Sequence, residues 1–326
     1  MATDQAPFEF LWLVKESAYG TTKVTPTAGV DSMYIRLAGA NRYKMRPMPT
    51  RRKIIFGGGL SNRGYAVSDQ LKVEGGLELE LCYSQAKMLL DWSVTKINGA
   101  QTIPWTTTEP IADLASCTVY HATARNDGTY KRLKYLGTKV HSAKLASSPS
   151  TGLTMLSLGL MAQKHVGNVP DASADPVAAE FAVPADTAFP VDAVLFNQLT
   201  CNAAATPLTF VQGAELSIGN DMDPRYFAGS QFISFDRFRG RTSTANLDLL
   251  LTATPNWRTK LESITSEALT FSWTNGTNTI LVDYLNNNLI DGVNDDLSPG
   301  KVYNVSVSYE SQYSTSSSGD VVFTFT

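Results

Sequence analysis

Histidine and cysteine side chains are the first groups in this 326-residue chain to test for metal or redox chemistry. The three histidines share no metal-ligand spacing, and the first of them alternates within a strand pattern, which favours a structural role. The three cysteines are far apart, and their odd number is typical of neither a zinc site nor a disulfide framework. We interpret them as reduced thiols of a protein made in a cytoplasm. The residues are His121, His141, His165, Cys82, Cys117 and Cys201.

Two further segments resemble ligand-binding loops only in part. Residues 57–59 are consecutive glycines, but no Gly-Lys-Ser/Thr follows them, so a phosphate loop is not expected. Residues 291–296 are acidic like a calcium loop but lack the glutamate that would end it, which favours a polar turn. No serine lies in a nucleophile elbow, and no pair of carboxylates stands out. The sequence therefore predicts a binding or structural protein with no catalytic residue, no metal and no cofactor.

Charge is divided unevenly between the two halves of the chain. Residues 1–165 contain 20 Lys and Arg against 12 Asp and Glu, whereas residues 166–326 contain 7 against 18. Opposite charges set the register of association. The halves are therefore expected to pair within a subunit or between neighbouring subunits, and a drift in composition is the alternative. No apolar run reaches the roughly 18 residues of a membrane span, so no membrane partner is expected.

Two clusters of basic residues are candidate contact surfaces. Six basic residues lie between positions 42 and 53, and three arginines alternate with phenylalanines between positions 232 and 241. Such clusters bind nucleic acid or protein. Prolines 47 and 49 and Asp236 interrupt any smooth basic stripe, which favours protein contact. The predicted contact residues are Arg46, Arg51, Arg52, Lys53, Arg63, Arg237, Arg239 and Arg241.

The elements that would position these residues occur twice along the chain. Residues 77–81 and 247–251 are leucine-rich and alternate with acidic residues, which predicts two half-buried strands. Each is followed by a helix, near 84–94 and 255–264, and then by a hairpin with an Asp-Gly or Asn-Gly turn. From Tyr135 onwards the halves align without a gap at an offset of 149 residues. We predict a tandem duplication of one mainly β unit.

A segment rich in Ala, Pro and Asp separates the two repeats. It covers residues 166–206, and its prolines exclude a helix and predict an extended linker. Its apolar residues, among them Phe189 and Val194, predict that it packs along a surface. The predicted domains are a first β unit at 1–165, this linker, and a second β unit at 207–326.

Three features together resemble one protein family. Lys-Glu-Ser-Ala-Tyr-Gly-Thr at 15–21 leads into a Thr/Pro stretch. The arginines at 51–52 precede Gly-Gly-Leu-Glu-Leu-Glu-Leu at 75–81 and an amphipathic helix. The second half begins with Ala-Glu-Leu-Ser-Ile-Gly-Asn-Asp at 214–221, and Arg-Gly-Arg at 239–241 precedes its leucine-rich strand. In these respects the chain resembles the major tail tube proteins of long-tailed, non-contractile bacteriophages.

The resemblance implies a structural virion subunit, each unit a β-sandwich or open barrel with one flanking helix. Such units form rings whose inner strands join into one β-barrel, and stacked rings enclose a lumen for genome delivery. Two units per chain would give a ring of three chains with pseudo-sixfold symmetry. The alternative is a ring of six chains with one half on the outside. The implied partners are further copies of the chain and the tape measure, tail terminator and tail tip proteins, and the implied place of assembly is the host cytoplasm.

Within that family the predicted strands indicate which residues line the lumen. In residues 77–81 the leucines share one face and the glutamates the other. If such strands form the inner wall, carboxylates and small polar groups face the passing DNA, which is not bound specifically. An ordinary solvent-exposed sheet face is the alternative. The predicted lumen residues are Glu78, Glu80, Ser157, Asp248, Ser306 and Ser308.

Two long segments with little core pattern are expected to contact a neighbouring subunit or the next ring. They are an N-terminal arm at about 1–30 and an inter-ring loop at 42–68, because compact domains rarely keep such loops unless they function. The alternative function is a β-sandwich adhesin or carbohydrate-binding module on a virion or cell surface. A secretion signal and an exposed aromatic platform would favour it, and neither is evident in the sequence.

Overall fold

The structure is a computed structural model, and it describes most of the chain. Within the described ranges the chain is mainly β, as predicted, and no helix is long and apolar enough to cross a membrane. The described residues are 9–22, 26–28, 31–54, 65–93, 114–124, 130–167, 188–227, 230, 232–233, 235–250, 257–264, 266–296, 304–311 and 321–326.

The first half contains nine described strands and one helix. The strands are β1 (Glu9–Ala18), β2 (Thr21–Thr22), β3 (Ser32–Arg36), β4 (Arg42–Ile54), β5 (Tyr65–Glu80), β6 (Cys117–Ala124), β7 (Tyr130–Ser147), β8 (Thr154–Ala162) and β9 (Lys164–Val166). The helix, α1 (Tyr83–Ser93), follows β5 directly. It confirms the helix predicted near 84–94.

The second half repeats this order with eight described strands and one α-helix. A short 3-10 helix at Phe196–Gln198 precedes the strands. They are β10 (Leu199–Ala203), β11 (Thr206–Pro207), β12 (Val211–Arg225), β13 (Phe235–Leu250), β14 (Ser266–Thr274), β15 (Thr279–Asp296), β16 (Asn304–Ser311) and β17 (Val321–Phe325). The helix α2 (Trp257–Glu262) lies between β13 and β14 and confirms the one predicted near 255–264.

One antiparallel sheet of eight strands runs through both halves. Its order is β4–β5–β8–β7–β12–β13–β16–β15, so each half contributes four neighbouring strands. The halves meet where Ser142–Ser147 of β7 pairs with Ala214–Gly219 of β12. We name this contact the internal joint. It makes the strands of the two halves one continuous sheet.

The two longest strands leave the eight-stranded sheet and continue into separate five-stranded sheets. β7 pairs with β6 and β9, and β1 and β3 complete the first of these sheets. β15 pairs in the same way with β14 and β17, and β10 and β11 complete the second. Both long strands have 18 residues, or about 60 Å at ~3.3 Å per residue. That length lets each strand belong to two sheets.

The strand pairing of the first half therefore recurs in the second. The hairpin β4–β5 corresponds to β12–β13, and the hairpin β6–β7 corresponds to β14–β15. β8 pairs with β5 and β7 in the way that β16 pairs with β13 and β15. This recurrence supports the tandem duplication, which stays a prediction.

A β-bulge gives the residue correspondence between the halves. It lies between Val140 and Ser142 of β7 and between Ile290 and Gly292 of β15, an offset of 150 residues. The residues of β8 and β16 that face the bulge keep the predicted offset of 149. The alignment without a gap predicted from Tyr135 is therefore wrong, because β15 has one more residue ahead of its bulge than β7 has.

The hydrophobic core lies against one face of the eight-stranded sheet. Leu77, Leu79 and Leu247 are fully buried on this face, and each such burial stabilises the fold by about 1.5–3 kcal/mol. Helix α1 covers the core of the first half. The indole N–H of Trp92 donates a hydrogen bond of 3.0 Å to the carbonyl of Thr138, which ties the end of the helix to β7.

The described part of the predicted linker packs against the first half. The N–H of Val194 donates to the carbonyl of Leu81, and the N–H of Thr154 donates to the carbonyl of Val194, both at 2.8 Å. Phe189 and Val194 are buried, so the predicted packing along a surface is confirmed for this part. Residues 199–203 of the predicted linker are a strand, β10, because they pair with β14.

Three segments predicted as arms, loops or turns are strands instead. Residues 9–18 of the predicted arm form β1, which lies between β3 and β6 in the first five-stranded sheet. Residues 42–54 and 65–68 of the predicted loop belong to the hairpin β4–β5. The polar turn predicted at 291–296 is the end of β15. Residues 10–14 of β1 are a continuous apolar run that is buried on both faces of the sheet, which the prediction of an arm overlooked. In the other two segments backbone pairing with a neighbouring strand prevails over a weak apolar pattern.

Candidate assembly surfaces

The second face of the eight-stranded sheet, here named the polar face, carries polar side chains on every strand, and the apolar Met155 of β8 and Ala146 of β7 lie among them. It contains every residue predicted to line a lumen: Glu78, Glu80, Ser157, Asp248, Ser306 and Ser308. Register places Glu78 opposite Ser157 and Asp248 opposite Ser306. The hydroxyl of Ser306 also donates a hydrogen bond to the carboxylate of Asp248. The alternation with buried leucines positions these groups, since successive strand residues point to opposite faces.

Basic side chains also lie on the polar face, and sequence reasoning did not place them there. Arg42, Lys44 and Arg46 alternate along β4 and are exposed. Lys144 of β7 forms an ion pair with Glu215 of β12 across the internal joint, with 2.7 Å between Nζ and Oε2. The predicted composition of carboxylates and small polar groups is therefore incomplete. The signal that identifies the three basic residues of β4 is their period-two spacing.

Two long hairpins continue past the strands that pair with them in the eight-stranded sheet. β5 pairs with β8 only from Val73 onwards, whereas its pairing with β4 begins at Tyr65. β13 pairs with β16 only from Thr244 onwards, whereas its pairing with β12 begins at Phe235. We name these parts the hairpin extensions. They contain most of the predicted contact residues: Arg51, Arg52, Lys53, Arg237, Arg239 and Arg241.

The other two predicted contact residues lie elsewhere. Arg46 is within the part of β4 that belongs to the eight-stranded sheet, and Arg63 lies outside the described residues. The Nε of Arg241 donates a hydrogen bond of 3.0 Å to Oδ1 of Asn220. Asn220 is buried, and its Nδ2 donates to the carbonyls of Ser93 and Val140 at 2.9 Å each. This network ties the second extension to α1 and β7 of the same chain.

Two edges of the eight-stranded sheet have no second partner strand within the described residues. One is β4, which pairs only with β5, and the other is residues 290–296 of β15, which pair only with β16. Such edges present backbone N–H and C=O groups for strand addition. The basic residues of the first edge are Arg42, Lys44 and Arg46, and the acidic residues of the second are Asp291, Asp295 and Asp296. The two edges are therefore opposite in charge.

A cavity of about 510 Å³ opens beside the β4 edge. Its lining combines the polar face with the start of β4: Glu9, Leu37, Asn41, Arg42, Tyr43, Lys44, Gly76 and Glu78. The side chain of Asn41 holds this region in place, because its Oδ1 accepts from the N–H of Glu80 at 2.8 Å and its Nδ2 donates to the carbonyl of Arg36 at 3.0 Å. Burial raises the pKa of Tyr43 well above its ordinary value. The hydroxyl of Tyr43 donates a hydrogen bond of 3.2 Å to Sδ of Met45, so the phenol already has a partner within the chain.

The Lys-Glu-Ser-Ala-Tyr-Gly-Thr segment forms a carboxylate site inside the first half, here named the Glu16 site. Glu16 accepts hydrogen bonds of 2.6–2.8 Å from the N–H groups of Gly20 and Gly137 and from the hydroxyls of Ser116 and Thr118. Both glycines have positive φ, 74° and 60°, which glycine adopts without strain. These bonds join the end of β1 to β6 and β7. The segment that carries the family resemblance is thus a structural element.

Within the described part of the chain, the three histidines belong to no group arranged to hold a metal ion. The ring of His121 bonds to the carboxylate of Glu9, and burial lowers the pKa of His141 and His165 below the ordinary value. Among the described residues no group of three or more His, Cys, Asp or Glu is arranged to hold a metal ion.

All three cysteines are free and buried, in agreement with their interpretation as unpaired thiols. Burial raises the pKa of Cys82 to about 11, with a further contribution from Asp192 and Glu80, and that of Cys201 to about 12. Burial also raises the pKa of Cys117. Because the thiolate is the reactive form, these side chains act as small apolar core residues.

Comparison with known proteins shows which family the chain belongs to. No curated protein matches it. Among solved structures, a chain from the virion of a native gene transfer agent particle matches with 11% sequence identity and a TM-score of 0.30, over 39% of this chain and 96% of that chain. A family model described as phage tail tube protein matches residues 9–321, which include both halves and nearly the whole sequence. The chain therefore belongs to the phage tail tube protein family.

Proposed function

We propose that three copies of this chain form one ring of a tail tube, and that stacked rings enclose a lumen through which the phage genome is delivered. Each chain contributes two ring positions, one from each β unit. The observation that carries the proposal is the eight-stranded sheet, which has a buried apolar face, a polar face and two free edges of opposite charge. Ring closure would pair these edges and so remove the sites at which β-sheet proteins aggregate.

The composition of the polar face supports its role as the lumen wall. Every Lys–phosphate or Arg–phosphate contact strengthens binding to DNA, so a channel for DNA needs few unpaired cations. On the polar face Lys144 is paired with Glu215, and Arg42 lies in register with Glu78. Serine, glycine and threonine fill much of the remaining surface. Met155 and Ala146 interrupt this wall, but it offers the genome neither a continuous apolar surface nor a continuous basic track.

The sheet also favours three chains over six. In a ring of six chains with one half on the outside, only four strands of each chain would reach the lumen. Here both halves place four strands in the same sheet through the internal joint. Three such sheets supply the same number of inner strands as six single units would.

The hairpin extensions are the surfaces that we assign to contacts between rings. They carry basic residues and extend past the strands that would form the barrel wall. We infer that the tape measure protein occupies the lumen before ejection, and that terminator and tail tip proteins bind the terminal rings. The chain is then a component of the virion, assembled in the host cytoplasm.

The direct test is the mass and shape of particles formed by the purified protein. Negative-stain electron microscopy is expected to reveal rings or tubes with a central channel. Mass photometry of single rings should give three times the chain mass of 35.4 kDa. Particles of six chain masses would contradict the three-chain ring, and dispersed monomers at all concentrations would contradict the tube itself.

A further inference from the structure

We propose that the β4 edge of one chain pairs with the β15 edge of a second copy in the register of the internal joint, with Lys44 opposite Asp296. This inference rests on the proposed ring and assigns its closing contact to particular residues. Each free edge is thus covered by the oppositely charged edge of another copy of the chain.

The first step is the equivalence of the two hairpin strands β4 and β12. Gly76 of β5 opposes Gly159 of β8, and Asn246 of β13 opposes Ser308 of β16. Gly159 and Ser308 each lie beside the β-bulge of the neighbouring long strand, so Gly76 and Asn246 occupy equivalent positions. Lys44 opposes Gly76, and Glu215 opposes Asn246. Lys44 at the free edge therefore takes the place that Glu215 has in the internal joint.

The second step is the equivalence of β7 and β15. Glu215 is opposite Ala146 in the internal joint, and Ala146 also opposes Met155 of β8. Asp296 opposes Asn304 of β16. Asn304 is equivalent to Met155, because β8 and β16 correspond at an offset of 149 residues. Asp296 therefore takes the place of Ala146. A contact between chains built like the internal joint sets Lys44 directly opposite Asp296.

The charges of this contact are the reverse of those in the internal joint. Inside the chain the acid, Glu215, is on the hairpin strand and the base, Lys144, is on the long strand. Between chains the base, Lys44, is on the hairpin strand and the acid, Asp296, is on the long strand. Within the eight-stranded sheet β7 is paired on both sides, so the competing contact is between two β4 edges. Such a contact would set basic residues against basic residues, and like charges in neighbouring cross-strand positions are destabilising. The charge pattern thus favours joints in which the first and second halves alternate.

Two prolines limit the length of this contact. Pro47 and Pro49 are paired with β5, and a proline in a sheet lies where its missing N–H would face away from the paired strand. Their nitrogens therefore face the free edge, which leaves no donor there at these two positions. Tyr43 and Met45 have the same orientation by alternation and supply the donors. The hydrogen-bonded contact is thus confined to the start of β4, as the internal joint is confined to six residue pairs.

A charge swap tests the pairing. Lys44→Asp and Asp296→Lys each set like charges opposite one another, so each single variant is expected to lose at least nine-tenths of its rings at the concentration where half of the wild-type protein is assembled. The double variant restores the attraction and is expected to recover rings. Lys87→Asp makes the same charge change on an exposed position of α1 and should assemble normally. Normal rings in both single variants, or a double variant no better than either, would overturn the proposal.

A crosslink separates failure of this register from failure of the ring. Directly opposite residues have Cα atoms about 4.5–5.5 Å apart, which lies within disulfide reach. Mild oxidation of a Lys44→Cys/Asp296→Cys chain should link chains up to a covalent trimer, and the buried native thiols should not compete. In the control, Lys44→Cys/Asn288→Cys, the second cysteine is about 26 Å further along the strand, so no linkage is expected. Linkage up to a hexamer would keep the register and reject the three-chain ring. Rings without the expected linkage would reject the register alone, and chains that neither assemble nor crosslink would reject both.

Discussion

The two halves of the chain share their strand pairing, but different contacts hold their long strands in place. In the first half, Glu16 accepts four hydrogen bonds that hold β7 where it passes from one sheet to the other. The ammonium group of Lys139, a buried residue of β7, lies 4.1 Å from the ring centroid of Tyr19. The end of β1 therefore stabilises the point where β7 passes from one sheet to the other.

Within the described residues the second half has no counterpart of residues 14–18 of β1, the part of that strand that reaches the Glu16 site. Its first strand, β10, ends at Ala203 and is followed by Ala204 and Ala205, which both have positive φ. A buried carboxylate is supplied instead by Glu267 of β14, whose Oε1 accepts a hydrogen bond of 2.7 Å from the hydroxyl of Tyr309. Burial raises the pKa of Tyr309, and the bond to Glu267 raises it further. The phenol therefore keeps its proton and remains a donor throughout the ordinary pH range.

The two halves therefore retain the same strand pairing but not the same side-chain contacts. Alternation of apolar and polar residues sets the sheet order, and both halves have it. The polar contacts at the long strands involve a few side chains at non-equivalent positions. Each half can therefore change its own contact without disturbing the sheet that joins the two.

The largest effect is expected for substitutions on the proposed lumen surface, to which both halves contribute. Replacing Glu78, Glu80 and Asp248 with Lys should leave rings intact, because the residues are on the polar face and away from the core. The added cations of every ring would contact phosphate, so genome ejection should slow at least about tenfold and recover with added salt. Glu262→Lys on α2 is the matched control. Unchanged ejection from virions built with the triple variant would contradict the lumen assignment.

The same surface separates the contributions of the two halves. If both line the channel, Asp248→Lys alone should slow ejection by a smaller factor in the same direction as Glu78→Lys. If the second half lies on the outside of a six-chain ring, Asp248→Lys should have no effect. Ejection rates of the two single variants, measured at one salt concentration, decide between these arrangements.

The next effect in size concerns the Glu16 site. Glu16→Ala removes the acceptor of two backbone N–H groups and two hydroxyls, and each partly buried donor left without a partner costs about 1–3 kcal/mol. We expect the free energy of unfolding to fall by about 3 kcal/mol, measured as a lower urea midpoint. Glu310→Ala, an exposed carboxylate of β16, should change it little. If the urea midpoint of Glu16→Ala equals that of this control, the Glu16 site does not stabilise β7.

Sequence reasoning identified the sheet better than it identified the contacts. The leucine alternation at 77–81 and 247–251 correctly predicted two strands and the polar character of Glu78 and Asp248, since period-two patterns report directly on burial. It did not identify β4 as an edge strand of the polar face, because its basic residues bury little surface and resemble those of a loop. The Glu16 site was visible only as a motif. Gly20 lies within the motif, but the other three donors, Ser116, Thr118 and Gly137, are 100 to 121 residues away, and no local pattern connects such positions.

The smallest expected effect concerns two tyrosine hydrogen bonds in the second half. Tyr309→Phe removes the donor to the buried carboxylate of Glu267, and a hydrogen bond to a charged group contributes about 1.5–3 kcal/mol. Tyr284→Phe removes a bond of 3.2 Å to the carbonyl of Thr244, and a neutral bond contributes about 1 kcal/mol. Urea unfolding should therefore give a loss of about 2 kcal/mol for Tyr309→Phe and about half of that for Tyr284→Phe. Glu267→Gln keeps an acceptor for Tyr309 and should cost less than Tyr309→Phe. Equal losses for the two tyrosines would mean that the carboxylate of Glu267 contributes no more to stability than a backbone carbonyl does.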